Sequence, residues 1–153
     1  MKRSAEELVS LYGNTLYRVA LSHTGIREDA EDMVQETLLR WLRESPSFES
    51  QEHEKAWLLR VVMNLCSNLV KKKGNRGMAE LLDIYPAQTE EEEGLMELVM
   101  KLPPDWRSAV YLHYYEGYKT AEIAEMMGVR DATVRSWLFR ARGQLKEWLE
   151  DEA

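Results

Sequence analysis

A helical apolar period runs through most of this 153-residue chain and lapses between residues 74 and 93. Apolar stripes that stop at residue 73 and resume near residue 94 mark two helical pieces on either side of a connector. Gly74-Asn75-Arg76-Gly77 follows a lysine run and should end a helix, and Pro86, four glutamates at 90–93 and Gly94 come after it. The apolar patch at 78–84 sustains no period. Residues 74–93 are therefore expected to form a flexible acidic connector between helical domains at 1–73 and 94–153. β-branched residues are few and strand-like alternation is absent, so the expected class is all-α.

Charge supports the division. The net charge of −7 at first argues against a nucleic-acid binder. Residues 1–73 carry eleven basic and eleven acidic side chains, net 0. Residues 74–100 carry one basic residue (Arg76) and seven acidic, net −6, and residues 101–153 carry eight basic and nine acidic, net −1. The excess belongs to the middle stretch. No run of eighteen apolar residues is present, so no membrane span is expected. The acidic residues just after Lys2 and Arg3 do not make a signal peptide. A single cysteine, Cys66, excludes an internal disulfide, and a cytoplasmic protein is expected.

In the first piece, Leu8, Leu11, Leu16, Val19 and Ala20 mark one helix. Ala30, Met33, Val34, Thr37, Leu38, Trp41 and Leu42 mark a second over about 28–43, broken by Ser45-Pro46-Ser47. Trp57, Leu58, Val61, Val62, Leu65, Leu69 and Val70 mark a third over about 54–73. In the second piece, helices are expected near 94–101, over 105–115, over 120–127 and from 131 to about 150. Gly128 turns the chain between the last two. A short helix, a glycine turn and a longer arginine-bearing helix form a helix-turn-helix layout.

That layout has a testable interior. Ala121, Ile123, Ala124, Met127, Val129, Val134 and Leu138 supply the small and aliphatic residues of a close crossing. Val134, Leu138, Ala141 and Leu145 make a continuous stripe on the last helix. The face opposite presents Arg135, Ser136, Phe139, Arg140 and Arg142, which suits guanine edges, phosphates and thymine methyls. A solvated face of an ordinary bundle has the same periodicity. Five basic residues against Asp131 between Val129 and Lys146 favour the electrostatic reading.

Leu102-Pro103-Pro104-Asp105-Trp106-Arg107, Tyr114-Tyr115-Glu116-Gly117-Tyr118, Glu122-Ile123-Ala124-Glu125-Met126-Met127-Gly128-Val129, Thr133-Val134-Arg135-Ser136 and Arg140-Ala141-Arg142 resemble region 4 of sigma-70-family factors. Asp29-Ala30-Glu31-Asp32-Met33-Val34-Gln35-Glu36-Thr37-Leu38 resembles region 2.2, and residues 55–66 (KAWLLRVVMNLC) resemble regions 2.3 and 2.4. The order and spacing are similar to those of the extracytoplasmic-function group, which consists of little more than regions 2 and 4. The resemblance implies a sigma factor that binds core RNA polymerase and directs initiation, often in a stress response. It implies promoter DNA and an anti-sigma factor, often membrane-tethered, as partners, with no cofactor, metal or small-molecule substrate.

Carried over by position, the resemblance places polymerase docking on Asp32, Gln35 and Glu36. Capture of the melted −10 strand falls to the loop 48–55, Trp57, Arg60 and Asn64, with Lys71, Lys72 and Lys73 on phosphates. Trp57 lies on the stripe of Val61 and Leu65, so core and stacking platform are both open to it. The −35 duplex would be read by Arg135, Ser136, Phe139 and Arg140, with Thr120, Arg130, Thr133 and Arg142 on phosphates. Lys119 and Arg130 replace common capping serines, which leaves Thr120 and Asp131 to cap. Ala132 and Trp137 also depart from the pattern, and Glu49, Glu52 and Glu54 make the capture loop acidic. The four glutamates at 90–93 would mimic nucleic acid in a polymerase channel or serve only as a soluble spacer.

Catalysis is not expected. Cys66 lies in an apolar run, and His23, His53 and His113 lack any paired-ligand spacing. A dimeric operator-binding regulator is the other alternative, and it predicts duplex binding without polymerase.

Overall fold

The computed structural model describes residues 3–73 and 89–152, and all its regular structure there is helical. The proposed connector thus lies outside the described residues as far as residue 88. Helix α1 spans Ala5–Thr24, α2 Arg27–Glu44 and α3 Gln51–Lys73. Ser4 caps α1, accepting from the Glu7 N–H at 3.2 Å while the Glu7 carboxylate reaches back to Ser4. Gly25, at φ 72°, ends the helix in the left-handed conformation that costs glycine least. The three helices pack mutually around Leu8, Leu16, Val19, Ala30, Trp41, Leu58, Val62 and Cys66.

Buried positions are rotated from the expected stripes by about one residue around the helix. Tyr12 is buried where Leu11 was expected, and on α3 Leu59, Met63 and Cys66 are buried while Val61, Leu65 and Leu69 are only half-buried. Leu and Val at neighbouring positions make two stripes equally apolar, and only the partner helices choose between them. Burial pushes the Cys66 thiol far above its ordinary range, as befits an inert core cysteine.

Helix α4 runs Glu90–Met100, beginning four residues before the expected start because Thr89 accepts from the Glu92 N–H at 3.1 Å. Carboxylates in that first turn complement the helix dipole, a local reason for part of the glutamate run. Helix α5, Pro104–Val110, widens into a π-helical turn at Tyr111–Tyr115. Helices α6, Thr120–Met127, and α7, Asp131–Glu152, are joined through Gly128 at φ 67°. Ile123, Ala124, Met126, Val134, Leu138 and Ala141 are buried at their crossing. Met126 replaces the expected Met127, and Ala121 is exposed.

The two halves meet through α1 against α5 and α3 against α6. Arg107, fully buried on α5, donates from Nε to the Ser22 carbonyl at 2.8 Å, from Nη2 to the His23 carbonyl and from Nη1 to the Met100 carbonyl at 3.3 Å. The first two are last-turn carbonyls of α1 that have no partner within their own helix. His23 Nδ1 lies 2.8 Å from Ser108 Oγ, and Arg18 pairs with Glu116 at 3.3 Å. Burial, then the Arg107 and Lys71 charges, lowers the His23 pKa to about 4, and burial lowers that of Arg107 to about 10.

Candidate nucleic-acid and polymerase interface

Helix α7 carries the clearest face. Val134, Leu138 and Ala141 are fully covered by α5 and α6, so helical geometry turns Ser136, Phe139 and Arg140 outward, with Arg135 and Arg142 along one flank. Phe139 is 73% exposed, an aromatic that no core element claims. Arg135, Arg140, Arg142 and Arg130 are exposed, and Thr133 and Thr120 are half-buried at the starts of α7 and α6.

Two partners on this surface were not foreseen. Asp131 lies in the first turn of α7 and not before it, so it does not cap; its Oδ2 pairs with Arg135 Nε at 2.8 Å, one turn on. Thr120 likewise opens α6 without capping it, and the Glu122 carboxylate accepts the Lys119 N–H at 2.9 Å instead. Tyr114, 54% exposed on the π-helical turn, accepts from Arg142 Nη1 at 2.8 Å and steadies that guanidinium. The Tyr114-Tyr115 pair ahead of Gly117 was the available signal.

The first half presents two further surfaces. On α2, Asp32 and Gln35 are exposed, and Glu36 pairs with Arg43 at 2.8 Å. Leu39 and Leu42, 51% and 45% exposed, continue the same side of the helix. Their exposure could not be read from a period that also places Leu38 and Trp41 inward. The patch thus combines carboxylate, amide and leucine, a composition suited to protein docking.

On α3, Trp57, Arg60, Asn64 and Lys71 fall on one side at helical spacing, and Arg60, Asn64 and the three lysines are exposed. Lys73 is drawn aside to Asp29 at 3.2 Å. Trp57 is half-buried: its ring meets Phe48 edge-on at 5.9 Å while packing against the core. Phe48 also meets His53 edge-on at 5.3 Å. Next to these residues Lys55 Nζ sits 5.5 Å from the centre of the Tyr118 ring, where the second half packs against α3.

The sequence matches the family models for sigma-70 region 2 over residues 8–76 and sigma-70 region 4 over residues 92–145. Among relatives it is 34% identical to the ECF RNA polymerase sigma factor SigE of Mycolicibacterium smegmatis, over 95% of this chain and 62% of SigE. It is 32% identical to SigM of Mycobacterium tuberculosis, over 94% of this chain and 76% of SigM. Identity to SigM of Bacillus subtilis is 30%, with 92% of both chains covered. Among solved structures, the complex of the sigma factor RpoE with the anti-sigma factor NepR from Bartonella quintana matches with a TM-score of 0.70 at 26% identity, covering 95% of this chain and 96% of the other.

The chain belongs to the ECF sigma factors of RNA polymerase. Its two matched regions are those involved in recognising the −10 and −35 promoter elements. That membership displaces the dimeric operator-binding alternative.

Proposed function

We propose that this chain recruits core RNA polymerase through the α2 patch, reads the −35 duplex with α7 and captures the melted −10 strand beside α3. The observation that carries the reading is the face formed by exposed Arg135, Phe139 and Arg140 with half-buried Ser136, turned away from a continuous buried stripe on the same helix. A rigid helix with guanidinium, hydroxyl and aromatic groups on one side fits the major groove, where arginine forks reach guanine O6 and N7. Arg142, steadied by Tyr114, with Arg130, Thr120 and Thr133 would hold the backbone. Arg60, Asn64 and the lysines Lys71 to Lys73 would follow the unpaired strand, and the exposed part of the Trp57 ring would stack a base.

Asp32, Gln35 and Glu36 would meet arginines of the polymerase in charge-assisted hydrogen bonds, with Leu39 and Leu42 adding apolar area. Work on promoter DNA of a bacterial cell supports a cytoplasmic location. The similarity to a sigma factor solved with NepR supports an anti-sigma partner for this chain as well.

The test is reconstitution with bacterial core polymerase and genomic DNA, followed by mapping of transcript starts. New start sites that share a −10 and a −35 motif are expected. Starts identical to those of core alone would sink the reading.

A further inference from the structure

Glu54 makes the strand-capture segment more acidic than an anion-binding loop should be, yet it does not face the DNA-reading surface. Its residue is only 6% exposed, beneath the loop that joins α2 to α3. There Arg3 Nε donates to Glu54 Oε1 at 2.7 Å, and the Tyr12 hydroxyl lies 3.0 Å from the same oxygen. The Tyr12 hydroxyl also lies 3.3 Å from the Gln51 carbonyl. Three residues distant in sequence thus tie the start of α1 to the first turn of α3. Burial first, then the Glu54 hydrogen bond, raises the Tyr12 pKa to about 12, so the phenol keeps the proton it donates.

Over this cluster opens a cleft of about 650 Å³, walled by Arg3, Glu54, Trp41, Ser45, Phe48 and Ser50. The loop leaves α2 through Ser45 at φ 45°, the one non-glycine residue with positive φ among the described residues. Such a conformation persists only where its surroundings hold it. Phe48 anchors the middle of the loop on His53 and Trp57, and the Glu49 N–H donates to His53 Nδ1 at 3.2 Å. The Glu54 cluster holds the far end. Paired with Arg3, the Glu54 carboxylate also adds no net negative charge beside a phosphate backbone.

We propose that Glu54 is a positioning residue for −10 strand capture: locked by Arg3 and Tyr12, it holds the base-reading edge of the 45–50 loop in place. This rests on the region 2 reading given above. A loop ordered in advance pays no ordering cost when a base enters, and a loose loop accommodates a wrong base almost as well as the right one.

The test uses holoenzyme assembled from core polymerase and the full chain, carrying Glu54→Gln, Tyr12→Phe or both. The probe is a fluorescent non-template oligonucleotide spanning the −10 element of a promoter mapped for the wild type, alongside the same strand with one base changed. Each single variant should lower the affinity ratio between the two strands roughly five- to ten-fold, the lower end of what one stacked base is worth. The double variant should lose no more than the worse single one. Arg3→Lys, which keeps a charged donor, should retain more of the ratio than Arg3→Ala. Preference on −35 duplex competitors and affinity for core should stay at the wild-type level.

Ratios within two-fold of wild type overturn the proposal alone. So does a parallel fall in −35 preference or core affinity, the mark of general misfolding. A wild-type holoenzyme with no strand preference overturns the region 2 reading itself.

Discussion

The two surfaces proposed to face DNA are built in opposite ways. The α7 face is local: its candidate readers lie within two turns of one helix, and the bonds that steer its arginines come from Asp131, one turn back, and from Tyr114. The candidate −10 surface is assembled from distant pieces. Phe48 rests on α3, while Arg3 and Tyr12 of α1 clasp Glu54. The difference matches the proposed targets. A duplex groove is a regular surface that a rigid helix can match, whereas an unpaired base needs a shaped recess, and a recess requires walls from several elements.

The contrast extends to what each half demands of the other. Helix α7 packs on α4, α5 and α6 of its own half, whereas α3 carries α6 on its flank and α1 ends on Arg107. Disturbing the junction should therefore change the first half more than the second. Arg107→Ala should have the largest effect, about 3 kcal/mol of stability in urea unfolding, because it strips charged donors from buried α1 carbonyls. Near-ultraviolet signals from the first half should fall before those from Trp137 and Trp148. A single coincident transition would show the halves to be equally dependent.

Acid should probe the same junction more gently. The His23 pKa is lowered, to about 4, so the folded ring stays neutral when the unfolded one takes up a proton. Above pH 6.5 neither state is charged and nothing is lost. As pH falls from 6.5 toward 4 the unfolded state gains, by about 2 kcal/mol at pH 5. His23→Asn should flatten that part of the stability profile, and an unchanged slope would assign the acid sensitivity to other groups.

Two smaller effects belong to α7. Arg140→Ala should cost roughly 1–3 kcal/mol of −35 duplex binding and relax preference at one position, whereas Arg142→Ala should weaken all sequences alike. Competition binding with single-base variants separates the two patterns. Asp131→Asn should have the least effect, since exposed ion pairs one turn apart are worth about 0.3–0.5 kcal/mol. It should raise duplex affinity slightly by releasing Arg135. A loss would show that Asp131 aims the guanidinium instead of competing for it.

Legibility tracked locality. Helices α6 and α7 and the Gly128 turn stand where periodicity placed them, because an i, i+4 stripe and a glycine with positive φ are short-range facts. The α7 face could be listed from the same period. On α1 and α3 the buried stripe was misplaced by about one residue around the helix, since Leu11 and Tyr12, or Val61, Val62 and Met63, are apolar neighbours that only packing can rank. Trp57 took a position between its two expected roles for the same reason.

The sequence by itself determined an all-helical chain, the helix-turn-helix and the side of α7 proposed to meet DNA, because backbone propensity and 3.6-residue spacing act within a few turns. Only the tertiary structure decided where three ionisable residues point. Glu54 turns inward to Arg3 and Tyr12, Arg107 becomes the cap of a helix more than eighty residues away, and His23 is held neutral beside it. No local pattern encodes such pairings, since a charge removed from water must find its partner wherever the fold brings one.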